Sequence, residues 1–245
     1  MRVDLDQWLP GAAAIWGAAL GLLIPRCAYR FSVEPEEDWR DRCPDGHVIG
    51  GWIGVARCRD GGAHAYGPSA PLVALATALV CAALAAATGT RPELGVWLLL
   101  APLGVLLAVV DFTVQRLPDV LTLSLAGAAL ALLAVVAVVP EHAGEWLTAL
   151  LGALALGGGY FVLFLINPQG MGFGDVKLAL GLGAVLGWYG WGNVVLGTFA
   201  GFLFGGLYGM GLVVVRRAGR KTSIPFGPFL IAGAFVGTLI GAYAA

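Results

Sequence analysis

The stretch GMGFGDVKLALGLGAVLGW, residues 170–188, decides how the chain is read. Three glycines in five residues lead to Asp175 and, two positions on, Lys177, and an apolar run follows. At the start of a helix, the dipole and the free backbone N–H groups favour an anion. A carboxylate placed there at a membrane boundary is a functional candidate. The bland alternative is an interfacial helix cap.

The surrounding composition sets the solvent. Of 245 residues, 59% are hydrophobic and only 12% charged, about half the charged share of a soluble domain. The expected fold class is therefore all-α and polytopic, because the backbone must satisfy its own polar groups in lipid. The net charge of −1 excludes the large basic surface that a nucleic-acid partner requires. Four scattered cysteines make no disulfide framework. The N-terminal apolar run lacks a basic n-region and a small-residue cleavage site, and is read as a retained helix.

A spanning helix needs about 20 apolar residues. About eight candidates occur, at 8–25, 70–88, 94–111, 119–139, 145–166, 176–189, 192–215 and 224–244, the sixth of them short. The expected organisation is a first transmembrane helix (1–25), a polar cytoplasmic loop or small domain (26–69) and a membrane-embedded region (70–245). Orientation follows from Lys and Arg. With the 26–69 loop on one side, twelve of the fourteen fall on that side, among them Arg59, Arg116, Lys177, Arg216, Arg217, Arg220 and Lys221. Only Arg2 and Arg91 fall on the other. The positive-inside rule makes that loop cytoplasmic and puts both termini outside.

Of fifteen Asp and Glu residues, three sit at cytoplasmic helix ends: Asp111, Asp119 and Asp175. Asp111 closes a long uncharged run, whereas Asp175 opens one. Two carboxylates from such unlike settings can share one proton, one acting as base on a water while the other serves the substrate carbonyl. They meet if the third and sixth spans are neighbours.

VVDFTVQRLPDVLTL, then GMGFGDVK with its aspartate sixty-four residues after the first, then KTSIPFGPFLIAGA, together resemble the bacterial type IV prepilin peptidases, polytopic aspartic proteases of the GxGD type. The resemblance covers about 105–235. It implies catalysis by Asp111, which opens a D-x5-L-P-D pattern, and by Asp175 of the Gly172-Phe173-Gly174-Asp175 motif. It places Gly172, Gly174, Lys177, Asp119 and the run Pro225-Phe226-Gly227-Pro228 beside the substrate. Asp119, after Pro118, also reads as a helix cap. Lys177 reads either as an anchor for a substrate carboxylate or phosphate or as a positive-inside charge. The implied substrates are prepilins or pseudopilins, cut at the leader–helix junction on the cytoplasmic face of the inner membrane. No cofactor is required for that hydrolysis.

The N-terminal region departs from the family. Where many members carry two C-x-x-C pairs, this chain has Cys43-Pro-Asp-Gly46 and Cys58-Arg-Asp-Gly61. Cys43, His47, Cys58 and His64 still offer a zinc-type ligand set, though not at common spacing. The alternative is a polar loop that no longer binds metal. Methylation with S-adenosylmethionine, which the family associates with this region, is unsupported by these residues. Two rival readings remain. A proton-coupled transporter would place charge deep within a span, and none of the spans has it. A non-catalytic pilus-assembly homologue would have no need of both aspartates. The sequence leaves the oligomeric state and the particular pilin open.

Overall fold

The computed structural model describes residues 5–34, 36–58, 64–168, 170–215 and 224–245. Arg2, Arg59, Arg216, Arg217, Arg220 and Lys221, part of the orientation argument, lie outside them. Nine helices occur among the described residues: α1 (Leu5–Gly21), α2 (Ile24–Phe31), α3 (Ala70–Thr88), α4 (Glu93–Val114), α5 (Asp119–Val136), α6 (Trp146–Ile166), α7 (Phe173–Trp188), α8 (Trp191–Val214) and α9 (Gly227–Ala244). The chain is an all-α, multi-pass membrane protein.

Among the described residues, six helices are long and apolar enough to cross a membrane, or seven if α1 and α2, bent by 43° at their break, act as one span. The difference from eight lies at both ends of that reckoning. At 16 residues, α7 reaches about 24 Å, short of a hydrocarbon core of about 30 Å. It is the central element, running from the Asp175 end of the bundle to the Glu93 end and packed against α5, α6, α8 and α9. A Cβ at Gly183 would stand 2.4 Å from the Gly152 carbonyl oxygen of α6. Only glycines permit that backbone approach, which supplies van der Waals packing where lipid offers no hydrophobic drive.

The sequence also hid α2. Pro25 and the arginines interrupt the apolar run, yet Ile24, Pro25, Ala28 and Phe31 are buried at helical spacing. Arg26 and Arg30 point the other way and donate to loop carbonyls: Arg26 to Gly50 (2.5 Å) and Arg30 to Gly51 (3.1 Å). The arginines thus hold the polar insert against the bundle. The insert contains two antiparallel bridges, Arg42 with Val48 and Arg57 with Ala65.

At the far end of the bundle, Glu93 is fully buried, although it reads as a loop residue in sequence. Its Oε1 lies 3.8 Å from Arg91 Nε and accepts from the Tyr189 hydroxyl at 3.5 Å. Arg91 also donates to the Ala242 carbonyl. This cluster ties α4, α9 and the end of α7 together, and it gives a partner to a carboxylate that lipid would penalise, although Glu93 Oε2 and Arg91 Nη1 have none among the described residues.

Candidate active site

The opposite end of the bundle, beside the small domain, gathers the C-terminus of α4 and the N-termini of α5, α7 and α9. Asp111 lies in the last turn of α4. Gln115 then caps α4 in the left-handed conformation (φ 52°), its N–H donating to the Asp111 carbonyl at 2.8 Å. Pro118 cannot continue a helix and pushes Leu117 towards extended backbone. The chain therefore reverses directly after the carboxylate. Arg116 fastens the turn by donating to the Glu34 carbonyl at 2.8 Å.

Asp175 is the third residue of α7, with Gly172 as N-cap. Its Oδ2 accepts the Gly172 N–H at 3.2 Å, which satisfies one orphan donor of the helix start. Asp111 Oδ2 accepts the Gly227 N–H at 3.0 Å, from the first turn of α9. Both carboxyl groups are buried, at 4% and 7% exposure, and each is held by a backbone N–H at a helix N-terminus.

The two aspartates are placed by helix ends, with no close backbone approach of α4 to α7 among the described residues. Leu117 packs between the start of α7 and the start of α9. A Cβ on Gly174 would sit 2.9 Å from Leu117 Cβ, and one on Gly227 would sit 3.2 Å from Leu117 Cδ1. The Asp175 carboxyl feels the charge of Asp111.

Asp119 takes no part in the pair. Its side chain is 61% exposed and its Oδ1 lies 2.6 Å from Lys177 Nζ. Lys177 Nζ also stands 4.8 Å over the Phe173 ring. The lysine that reads as a substrate anchor therefore already has a partner. Of the tail motif, Gly227 and Pro228 are buried, and Phe226 packs on Tyr160 and Phe202, ring centroids 6.5 and 5.2 Å away. Pro225 leads into that loop.

Sequence reasoning missed Tyr160. An uncharged tyrosine in an apolar helix gives no signal. In the structure it is 2% exposed on α6, and its hydroxyl has no hydrogen-bond partner among the described residues. It interacts electrostatically with Asp175. Buried hydroxyls in native proteins nearly always have partners, which marks this one as a candidate to bond a bound group.

In the small domain, Cys43, His47 and Cys58 converge. Cys43 Sγ lies 3.7 Å from Cys58 Sγ, and His47 Nδ1 lies 3.6 Å from Cys43 Sγ and 3.4 Å from Cys58 Sγ. With Zn–S about 2.3 Å and Zn–N about 2.0 Å, tetrahedral angles put two sulfurs about 3.8 Å apart and a sulfur and nitrogen about 3.5 Å apart. The three donors match that figure. Burial pushes the Cys43 thiol up, but hydrogen bonds from the Asp45 and His47 N–H groups and from the His47 and Cys58 side chains outweigh it. The thiol is brought down to about 7. His64 stands outside the group, with its Nδ1 3.2 Å from Asp45 Oδ2. The four-residue ligand set is thus reduced to three.

Comparison with known proteins gives the family. The model of the type IV leader peptidase family matches residues 98–210, a span that holds both buried aspartates. Proteins named prepilin leader peptidase/N-methyltransferase are similar along most of the chain. That of Aeromonas salmonicida is 34% identical, covering 78% of this chain and 64% of its own length. That of Pseudomonas aeruginosa is 33% identical, covering 72% and 60%. That of Stutzerimonas stutzeri is 30% identical, covering 92% and 75%. The chain thus spans a little under two thirds of the first two relatives. No solved structure matches. The chain belongs to the type IV leader peptidase family.

Proposed function

We propose that this protein is an aspartic endopeptidase of the bacterial inner membrane that removes the basic leader of prepilins or pseudopilins at the cytoplasmic face. The observation that carries the reading is the pair of buried carboxylates, each accepting a backbone N–H from a helix start, with Leu117 packed against both of those starts. With one proton between them, one carboxylate takes a proton from water as its oxygen attacks the scissile carbonyl. The other donates its proton to the carbonyl oxygen. Collapse of the tetrahedral adduct returns a proton to the leaving amine, and a carboxylate pair sharing one proton is restored. The glycine-dense loop before α7 lets substrate draw the two groups together on binding.

The glycines of the GxGD motif divide the work. A Cβ on Gly172 would meet nothing closer than Asp175 Oδ2 at 3.5 Å, an ordinary contact. Gly172 is also exposed. The fold does not demand that glycine, and its free space suits an extended substrate backbone beside Asp175. Co-expression with a prepilin tests the whole reading. Leader removal is expected, and proton-coupled solute uptake in its place would support the transporter alternative.

Tyr160 belongs to this reaction as a hydrogen-bond donor to the incoming substrate or water. A purely structural role makes a clear contrary forecast, since removing an unpartnered buried hydroxyl is neutral or stabilising. Tyr160→Phe is expected to lower kcat about tenfold, the loss of one aimed donor worth about 1.4 kcal/mol, with unchanged or raised thermal stability. Unchanged kcat would reduce Tyr160 to packing.

Zinc is the second proposal. Cys43, His47 and Cys58 fit three corners of a tetrahedral site, and the metal would pin the two hairpins of the insert rather than take part in hydrolysis. Metal analysis of the purified protein is expected to find about one zinc per chain. Cys43→Ser and Cys58→Ser each lose it, while His64→Ala keeps it. Retention of zinc by both cysteine variants would refute the site. Methyl transfer forms no part of the proposal.

A further inference from the structure

We propose that the apolar cleft between α3, α4 and α9 receives side chains of the hydrophobic helix of the substrate, which lies along it, with the acidic segment after α2 holding its basic leader. The inference rests on the peptidase reading and adds to it a path for each half of the substrate.

The cleft has a volume of about 380 Å³. Ala76 of α3, Ala101 and Ala108 of α4 and Ala232 of α9 are among its walls, with parts of α5 and α7 as its floor. One end is formed by Phe112 and Pro228. These are the neighbours of Asp111 and Gly227, which are hydrogen-bonded to each other. The other end is at Trp97 and Thr238. Trp97 to Phe112 along α4 is about 22 Å. The cleft therefore starts beside the catalytic pair and runs down the bundle for about four helical turns. An engineered cavity of about 150 Å³ holds benzene. This cleft is large enough for two or three large side chains of a helix lying along it, not for the helix itself.

Lipid chains could also lie there. Charge at the mouth selects between the two occupants. Residues 34–42 carry Glu34, Glu36, Glu37, Asp38 and Asp41 against Arg40 and Arg42, and all seven are exposed. Arg116 donates to the Glu34 and Val33 carbonyls, which ties the start of this segment, at Glu34, to the turn that follows Asp111. An acidic surface there attracts a basic leader and repels anionic headgroups. A chain that is basic before the scissile bond and apolar after it matches both surfaces in the right order.

The test uses the whole protein in membranes. A photoreactive p-benzoylphenylalanine at Ala108 or Ala232, in an Asp175→Asn background, is expected to cross-link co-expressed prepilin through its apolar segment. The same probe at Val195, 68% exposed on α8, is expected to capture lipid only. In the active enzyme, the double change Glu36→Lys and Glu37→Lys is expected to raise KM at least tenfold for a basic leader. Replacing the leader's basic residues with Glu is expected to restore it. Lipid adducts alone at Ala108 and Ala232, or an unchanged KM, would overturn the inference while wild-type cleavage persists. Absence of wild-type cleavage would bring down the peptidase reading and this inference with it.

Discussion

Asp111→Asn and Asp175→Asn are each expected to cut leader removal by about 10²–10⁴-fold, the worth of a positioned acid or base, while Asp119→Asn changes it less than about fivefold. The asparagine isostere isolates the chemistry. Its side-chain oxygen can still accept the Gly227 N–H at position 111 or the Gly172 N–H at position 175, so the local fold survives. What is lost is the ability to take or give a proton. Asp119 differs in kind. It is exposed and paired with Lys177, and such a pair is worth about 1 kcal/mol or less. Its place at the start of α5 adds a helix-dipole contribution of similar size. Prepilin processing in membranes at matched expression is the measurement. The assignment fails if Asp119→Asn alone abolishes cleavage and Asp111→Asn does not.

Much of this was legible because lipid simplifies the code. Each apolar run became a helix close to its expected bounds, since nothing else satisfies the backbone there. Hydropathy does not say what surrounds a helix: the short α7 run forms the centre of the bundle, where glycines let α6 approach. In the same way α2 was concealed by Pro25, Arg26 and Arg30, residues that lower hydropathy but lie on the first turn or the outer face. The aspartates could be named because charge at an apolar boundary is costly. Tyr160 carries no charge, and its orphan hydroxyl is a fact of packing. The same limit applies to Leu117, which reads as part of a motif but packs between the starts of α7 and α9. His64 stands apart for a different reason: ligand type is visible in sequence, whereas separation from the other three donors is not.

Gly227→Ala is expected to lower cleavage by at least about tenfold, and by more than Gly174→Ala or Gly172→Ala. Gly227 is not among the residues with positive φ, so backbone strain is not the issue and space alone decides. The new Cβ would stand 2.8 Å from Asp111 Oδ2 and 3.3 Å from its Cγ. The carboxyl must swing away, which breaks the 3.0 Å bond from the Gly227 N–H. Overpacking of this sort costs about 1–3 kcal/mol. Spent on the geometry of Asp111, that is about ten- to a hundredfold in rate. At Gly174 the obstacle is the Leu117 side chain, at 2.9 Å, and a leucine can give way. At Gly172 the nearest atom is at 3.5 Å, and any loss there reports on the substrate backbone instead. Gly206→Ala on α8, where a Cβ meets nothing within 4 Å, should cleave as wild type does. Wild-type cleavage by Gly227→Ala would mean that the contact between α9 and Asp111 does not position the carboxyl. A graded series in the stated order would mean that the last helix, through one backbone N–H, aims the catalytic aspartate.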